Sequence, residues 1–219
     1  MRNKFSNYFL GKFYVFAFMA KYGYWYLIPK AIIRYVYLKI VLREYQIHSW
    51  HAIPIELRPY GLHVVEYFKS ILKTDDVAAE VGVGIGEIIN RLPACKKYGF
   101  DLEEKVILAA NKVNDSKDIT YQVGSFNQVL NIQEKKLTAL FCLQFLHSIP
   151  SQELTPIFQK LINEKEIKYI VVDIVTTENE FIHDFEKIFG DKYSLVEEKE
   201  FIHPISEGPI INLIFKKND

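Results

Sequence analysis

The chain has 219 residues, enough for one α/β domain with a smaller attachment but not for a second independent enzyme domain. Apolar residues make up 49% and charged residues 25%, which excludes a disordered or collagen-like chain. The net charge is zero, yet residues 1 to 43 hold eight basic residues (Arg2, Lys4, Lys12, Lys21, Lys30, Arg34, Lys39, Arg43) and no acid, leaving an acidic body.

A basic, aromatic head of this kind suits an anionic surface such as lipid head groups. Residues 1–47 are expected to form a helical extension or cap, in two or three helices broken near Gly23 and Pro29. "FYVFAFMA" at 13–20 follows Arg2 and Lys4, but Lys21 comes at once without an A-x-A site, so a cleaved signal peptide is not expected. Within this segment the longest uncharged stretches, 13–20 and 22–29, are too short for a span, which needs about 18 apolar residues. In "AIIRYVYLKIVL", helical spacing sets Lys30 and Arg34 on one side and Lys39 and Arg43 nearly opposite. The sequence therefore leaves open whether this segment lies on a membrane or caps the main domain or a second subunit.

Residues 48–219 read as the main domain. Pro54 and Pro59 punctuate a connection into a helix from about Tyr60 to Leu72, whose apolar positions Leu62, Val65, Phe68 and Leu72 keep helical spacing. Strands and helices then alternate. "VAAEV" is a strand, "GEIINRL" begins a helix, "YGFDL" is a strand, "EEKVILAANKV" a helix and "ITYQVG" a strand. "LTALFCLQFL" gives a fourth strand, "SQELTPIFQKLIN" a helix, and "IKYIVVDIV" a fifth strand apolar enough to be buried on both faces. "ENEFIHDFEKIF" is another helix, and "YSLVEEKEF" and "IINLIFKK" are strands in succession, so the last is expected antiparallel, at or near the edge. The pattern predicts an α/β fold with a seven-stranded, mostly parallel, doubly wound sheet.

The sharpest local feature is "VAAEVGVGIGEI" at 77–88: a strand, then Gly82, Gly84 and Gly86, with Glu80 two places before the first glycine. Missing side chains let a ligand approach the backbone, and exposed amides offer it hydrogen bonds. Dinucleotide sites prefer G-x-G-x-x-G, whereas position 87 here is Glu, and Glu80 suits a cationic ligand better than a pyrophosphate.

"AEVGVGIGE" resembles the first motif of the class I S-adenosylmethionine-dependent methyltransferases, E/D-x-G-x-G-x-G, and the alternating pattern extends the resemblance from about residue 60 to the C-terminus. It implies a Rossmann-like methyltransferase fold and S-adenosyl-L-methionine as cofactor. Glu80, Gly82, Gly84 and Gly86 then meet its methionyl and ribose parts, and Asp101 in "YGFDLEEK" takes both ribose hydroxyls, with Leu102 beside the adenine. Asp101 and Glu104 also resemble a helix capping box. Departures fall later. Where many members carry an acid facing the adenine amino group, this chain has Ser125, with Phe126 beside it; Thr138 replaces the acid that often opens the fourth strand.

His147, just beyond the fourth strand, lies where open α/β sheets bind ligands, and imidazole is suited to act as a general base. His51, Arg58, Tyr60 and Asp173 are further candidates for the acceptor pocket. A small molecule, glycan or lipid-linked acceptor fits best. No Lys/Arg-rich nucleic-acid arm and no D/N-P-P-Y/F tetrapeptide is present. Cys95 and Cys142 do not suggest a disulfide framework, and no CxxC, HExxH or zinc-ligand spacing occurs, so no metal is expected. A cytoplasmic setting follows, with peripheral membrane contact through residues 1–43 and homo-oligomerisation left open. Two other classes also stay open: an NAD-dependent oxidoreductase, and a noncatalytic adaptor on the methyltransferase fold.

Overall fold

The computed structural model describes residues 21, 23, 25–93, 95–114, 116–176, 181–202 and 208–219. Arg2, Lys4, Lys12 and the stretch 13–20 lie outside the described residues.

A seven-stranded sheet runs through the molecule in the order β3-β2-β1-β4-β5-β7-β6, with β1 Val77–Val81, β2 Lys96–Asp101, β3 Ile119–Val123, β4 Lys136–Cys142, β5 Glu166–Val175, β6 Tyr193–Ile202 and β7 Pro209–Lys217. The five strands β1 to β5 pair in parallel, while β7 lies antiparallel between β5 and β6. The last strand is thus antiparallel as expected and second from the edge; β6 is the edge strand, and its charged run "EEKE" suits that exposed place.

Six α-helices among the described residues accompany the sheet: α1 Ile28–Tyr45, α2 Pro59–Lys69, α3 Glu104–Val113, α4 Phe126–Asn131, α5 Ser151–Glu164 and α6 Phe185–Phe189. Strand residues alternate between two cores, as the two-residue side-chain period requires. Ala79, Val81, Leu140, Cys142, Ile170 and Val172 join Phe126, Phe158, Phe185 and Phe189 on one face. Ala78, Ala139, Phe141 and Val171 join Val64, Val65, Phe68 and Ile107 on the other.

Pro29 stands in the first turn of α1 rather than between two helices, because that position needs no intrahelical N–H donor. The helix ends at Gln46, which is left-handed at φ 54°. Leu38 and Val41 of α1 pack with Ile47 against Ile85, Val106 and Ala109, so the helix lies on α3 and on the glycine turn.

The segment after β1 departs from the expectation. "GEIINRL" forms turns and a short 3-10 segment at Ile89–Arg91 rather than an α-helix. Pro93 cannot supply the N–H of a longer helix, β2 begins at Lys96, and Glu87 is drawn inward by partners outside the turn. Conversely, α4 occupies a stretch with no helical expectation. The helix expected over "ENEFIHDFEKIF" is observed as Phe185–Phe189, with 177–180 outside the described residues.

Candidate active site

β1 carries Glu80 and Val81 to the sheet's C-terminal edge, at the place where the strand order reverses between β1 and β4. Crevices of open α/β sheets form at such a switch point. Here the cavity measures about 660 Å³ and is lined by the glycine turn, the ends of β2 and β4, and the segment 50–60 that crosses over them.

Glu80 is 4% exposed, and its carboxylate accepts the Ile89 N–H at 3.0 Å. Burial raises its pKa to about 8, against the opposing pull of that hydrogen bond and of Arg58. The three glycines are all left-handed, with φ of 70°, 54° and 79°. Each also abuts the protein itself. A Cβ on Gly82 would lie 2.6 Å from the Phe145 ring, one on Gly84 3.2 Å from the His51 carbonyl oxygen, and one on Gly86 2.2 Å from the Tyr121 hydroxyl. Gly82 and Gly84 line the cavity; Gly86 is not among the lining residues and serves close packing against Tyr121.

Asp101, at the end of β2, reaches the same cavity. One carboxylate oxygen accepts the Gly84 N–H at 3.0 Å and the other the Glu103 N–H at 3.1 Å. Each oxygen keeps a second lone pair. The expected Asp101–Glu104 capping box does not form: α3 starts at Glu104 after Glu103, with no side-chain cap. Leu102 is 75% exposed at the cavity rim, and Ser125 lines it without spending its hydroxyl on capping α4. Phe126, expected beside the adenine, is instead buried against Phe145 and Phe158, because it is the first apolar residue of α4 and faces the core.

His51, expected at the acceptor pocket, stands on the Asp101 side. Its Nε2 lies 3.1 Å from Glu103 Oε1 and its Nδ1 3.9 Å from Asp101 Oδ2. His51, Arg58 and Tyr60 all line the cavity. Tyr60 is buried, which pushes its hydroxyl up to about 12, and its side chain is hydrogen-bonded to Arg58. Arg58 Nε is buried with no hydrogen-bond partner among the described residues.

Asp173 is 1% exposed and is not among the lining residues, but it holds Gln144, which is. Both its oxygens accept the Gln144 N–H at 3.0 Å, and Gln144 Nε2 donates to Oδ2. Gln144 has φ 68°, a left-handed conformation unfavourable for a residue with a Cβ. A buried carboxylate holds that shape just past β4, where strain commonly marks a site. His147 follows in the short 3-10 turn Leu146–Ser148 and lines the cavity. Thr138, at the position of the missing acid, donates to Asp76 at 2.6 Å ahead of β1.

Sequence reasoning missed Trp50, Ile53, Glu87, Gln144 and Phe145 in the lining. No motif marks Trp50, Ile53, Gln144 or Phe145. Glu87 was visible as the residue that breaks the dinucleotide pattern. Its Oε1 accepts Arg34 Nε at 3.0 Å and Nη2 at 2.6 Å, and its Oε2 accepts the Ile55 N–H at 3.0 Å and Arg91 Nη1 at 3.1 Å. Burial would raise its pKa, but the guanidiniums of Arg91, Arg58 and Arg34 together hold it below the ordinary value.

Among the described residues, no group of three or more His, Cys, Asp or Glu side chains is arranged to hold a metal, and Cys95 and Cys142 are buried free thiols. No helix among them is long and apolar enough to cross a membrane.

No protein-family model and no curated protein matches this sequence. Its structure is similar to solved methyltransferases. Magnesium protoporphyrin IX methyltransferase from Synechocystis, with bound S-adenosylhomocysteine, aligns at TM-score 0.62 and 15% identity over 86% of this chain and 100% of that one. The N-methyltransferase NodS from Bradyrhizobium japonicum, also with S-adenosylhomocysteine, aligns at 0.63 and 12% identity over 85% and 99%. A putative methyltransferase in complex with the Trm112 activator of Haloferax volcanii aligns at 0.61 and 10% over 75% and 92%. The strand order and these similarities define the fold: it is the Rossmann-like fold of the class I methyltransferases.

Proposed function

We propose that the protein is an S-adenosylmethionine-dependent methyltransferase acting on a small-molecule, glycan or lipid-linked acceptor, with 48–219 as the catalytic domain and 1–47 as its cap. The reading is carried by one observation: Glu80, Gly82, Gly84 and Asp101, from two different strands, converge on a single cavity at the β1/β4 switch point.

The residues present fit the cofactor. Asp101 retains acceptor capacity for ribose hydroxyls, and Glu80 offers a carboxylate to its ammonium. Arg58, with its buried and unpartnered Nε, offers the complementary donor to its carboxylate. Ser125 and Leu102 suit the adenine. A cavity of about 660 Å³ falls within the range of cofactor sites. S-adenosylmethionine supplies a methyl group on a cationic sulfur that leaves as a neutral thioether.

The chain's own contribution is positioning and proton handling. Gln144, fixed by Asp173, presents polar groups at the end of β4, and His147 beside it takes a proton from an acceptor that carries one. Trp50, Ile53 and Phe145 supply apolar walls that suit a partly apolar acceptor and exclude water.

Transfer from methyl-labelled S-adenosylmethionine to panels of soluble and lipid-linked acceptors tests the reading. Transfer that needs roughly ten- to a hundredfold more S-adenosylmethionine in Asp101→Ala supports it. Absence of transfer, together with failure to bind S-adenosylhomocysteine, favours the noncatalytic adaptor.

A further inference from the structure

α1 has two unlike faces. Ala31, Leu38 and Val41 are buried inward, and Arg34 reaches Glu87 on that side. Outward, Ile32 is 43% exposed, Ile33 73%, Val36 56% and Ile40 61%. At about 100° per residue these four form one stripe along the helix. Lys39 and Arg43 border it on one edge, and Lys30 and Tyr37 on the other. The helix's one acid is Glu44, at its last turn. Ahead of the helix, Trp25 and Tyr26 are 68% and 59% exposed. An aliphatic stripe with Lys39 and Arg43 along one edge and Lys30 beyond the other, approached by exposed aromatics, is costly to leave in water.

We propose that this outer face of α1 docks in the plane of an anionic lipid bilayer. Ile32, Ile33, Val36 and Ile40 enter the head-group and acyl boundary, while Lys30, Lys39 and Arg43 extend along the margins to lipid phosphates. Trp25 and Tyr26 lie at head-group depth, where aromatic rings with a polar edge are favoured. Charge selects the occupant. A second copy of the chain would bring together two faces that each carry three outward cations and one acid, whereas an anionic bilayer complements that excess of cations. The same helix fastens to the glycine turn through Arg34 and Glu87, so docking would carry the cavity to the membrane surface as one unit. The proposal does not depend on the methyl-transfer reading.

Flotation of the full chain with phosphatidylcholine vesicles, with and without phosphatidylglycerol, tests it. The expected result is co-flotation with the anionic vesicles and little with the neutral ones. Ile33→Asp/Ile40→Asp and, separately, Lys30→Glu/Lys39→Glu/Arg43→Glu should each lower partitioning by about a hundredfold. Because these side chains are exposed, circular dichroism should be unchanged in both. Equal flotation of the aspartate variant, or no flotation of the wild type on anionic vesicles, overturns the proposal. So does light scattering that shows a dimer which Ile33→Asp/Ile40→Asp converts to monomer, since a second copy would then own the face.

Discussion

Arg34, in the middle of α1, meets Glu87, the residue after the last glycine of the turn, through two donors to one carboxylate oxygen at 3.0 and 2.6 Å. They stand 53 positions apart in sequence. The pair makes the N-terminal helix part of the cavity's architecture, because Glu87 also holds the Ile55 N–H of the segment that crosses the glycine turn. Arg34→Met would leave the buried carboxylate with hydrogen bonds from Arg91 and Ile55 and the more distant charge of Arg58. The expected loss is about 1.5 to 3 kcal/mol of unfolding free energy in urea titration. An unchanged midpoint would mean the pair contributes nothing net.

Glu80 and Glu87 should give stability opposite pH dependences. The folded pKa of Glu80 is raised from 4.5 to about 8, so between those values the unfolded chain releases a proton that the folded chain keeps, and stability falls as pH rises. Glu87 is lowered, so its contribution is present above 4.5 and is lost as pH falls through its folded value. Glu80→Gln should therefore flatten the decline between pH 5 and 8, as seen in unfolding free energies across that window. A decline that persists in Glu80→Gln would assign it to another group.

The same shift makes cofactor binding proton-linked. An ammonium beside Glu80 favours its ionised form, so binding near neutral pH should release a proton, and affinity should rise with pH toward 8. Calorimetry in two buffers of different ionisation enthalpy would read that release. Identical heats in both buffers would show that Glu80 does not change charge on binding.

Asp173 and Gln144 offer a test on the acceptor side. Asp173→Asn replaces an acceptor oxygen with a donor where Gln144 presents both its backbone N–H and its Nε2. With Gln144 held left-handed by those bonds, the variant should lose about 1 to 3 kcal/mol of stability. Wild-type stability in the variant would mean that the strained conformation is supported elsewhere.

Much of the fold was legible because strand and helix periods alternate cleanly from Val77 onward, and the apolar run of β5 reads as doubly buried. The site was legible where chemistry is local: Glu80, the glycines and Asp101 sit within one strand–turn–strand segment. What escaped depends on distant partners. "GEIINRL" carries helical residues, yet Glu87 is claimed by Arg34, Ile55 and Arg91, and Pro93 closes the turn. The placement of charges on α1 looked contradictory in sequence. It resolves once Arg34 turns inward and Lys30, Lys39 and Arg43 border the exposed stripe. The left-handed Gln144 could not be foreseen, since nothing in "CLQFLH" announces a buried carboxylate arriving from β5.

Gly84→Val, an obvious way to block a cofactor, would test the fold as well, because the added atoms meet the His51 carbonyl and the backbone is left-handed. Asp101 is the cleaner probe. Calorimetric titration of the full chain with S-adenosylhomocysteine is the most direct test of the central claim. Saturable one-to-one binding is expected, weakened by about 1 to 3 kcal/mol in Asp101→Ala, with no heat from NAD. Binding of NAD with no response to S-adenosylhomocysteine would contradict it.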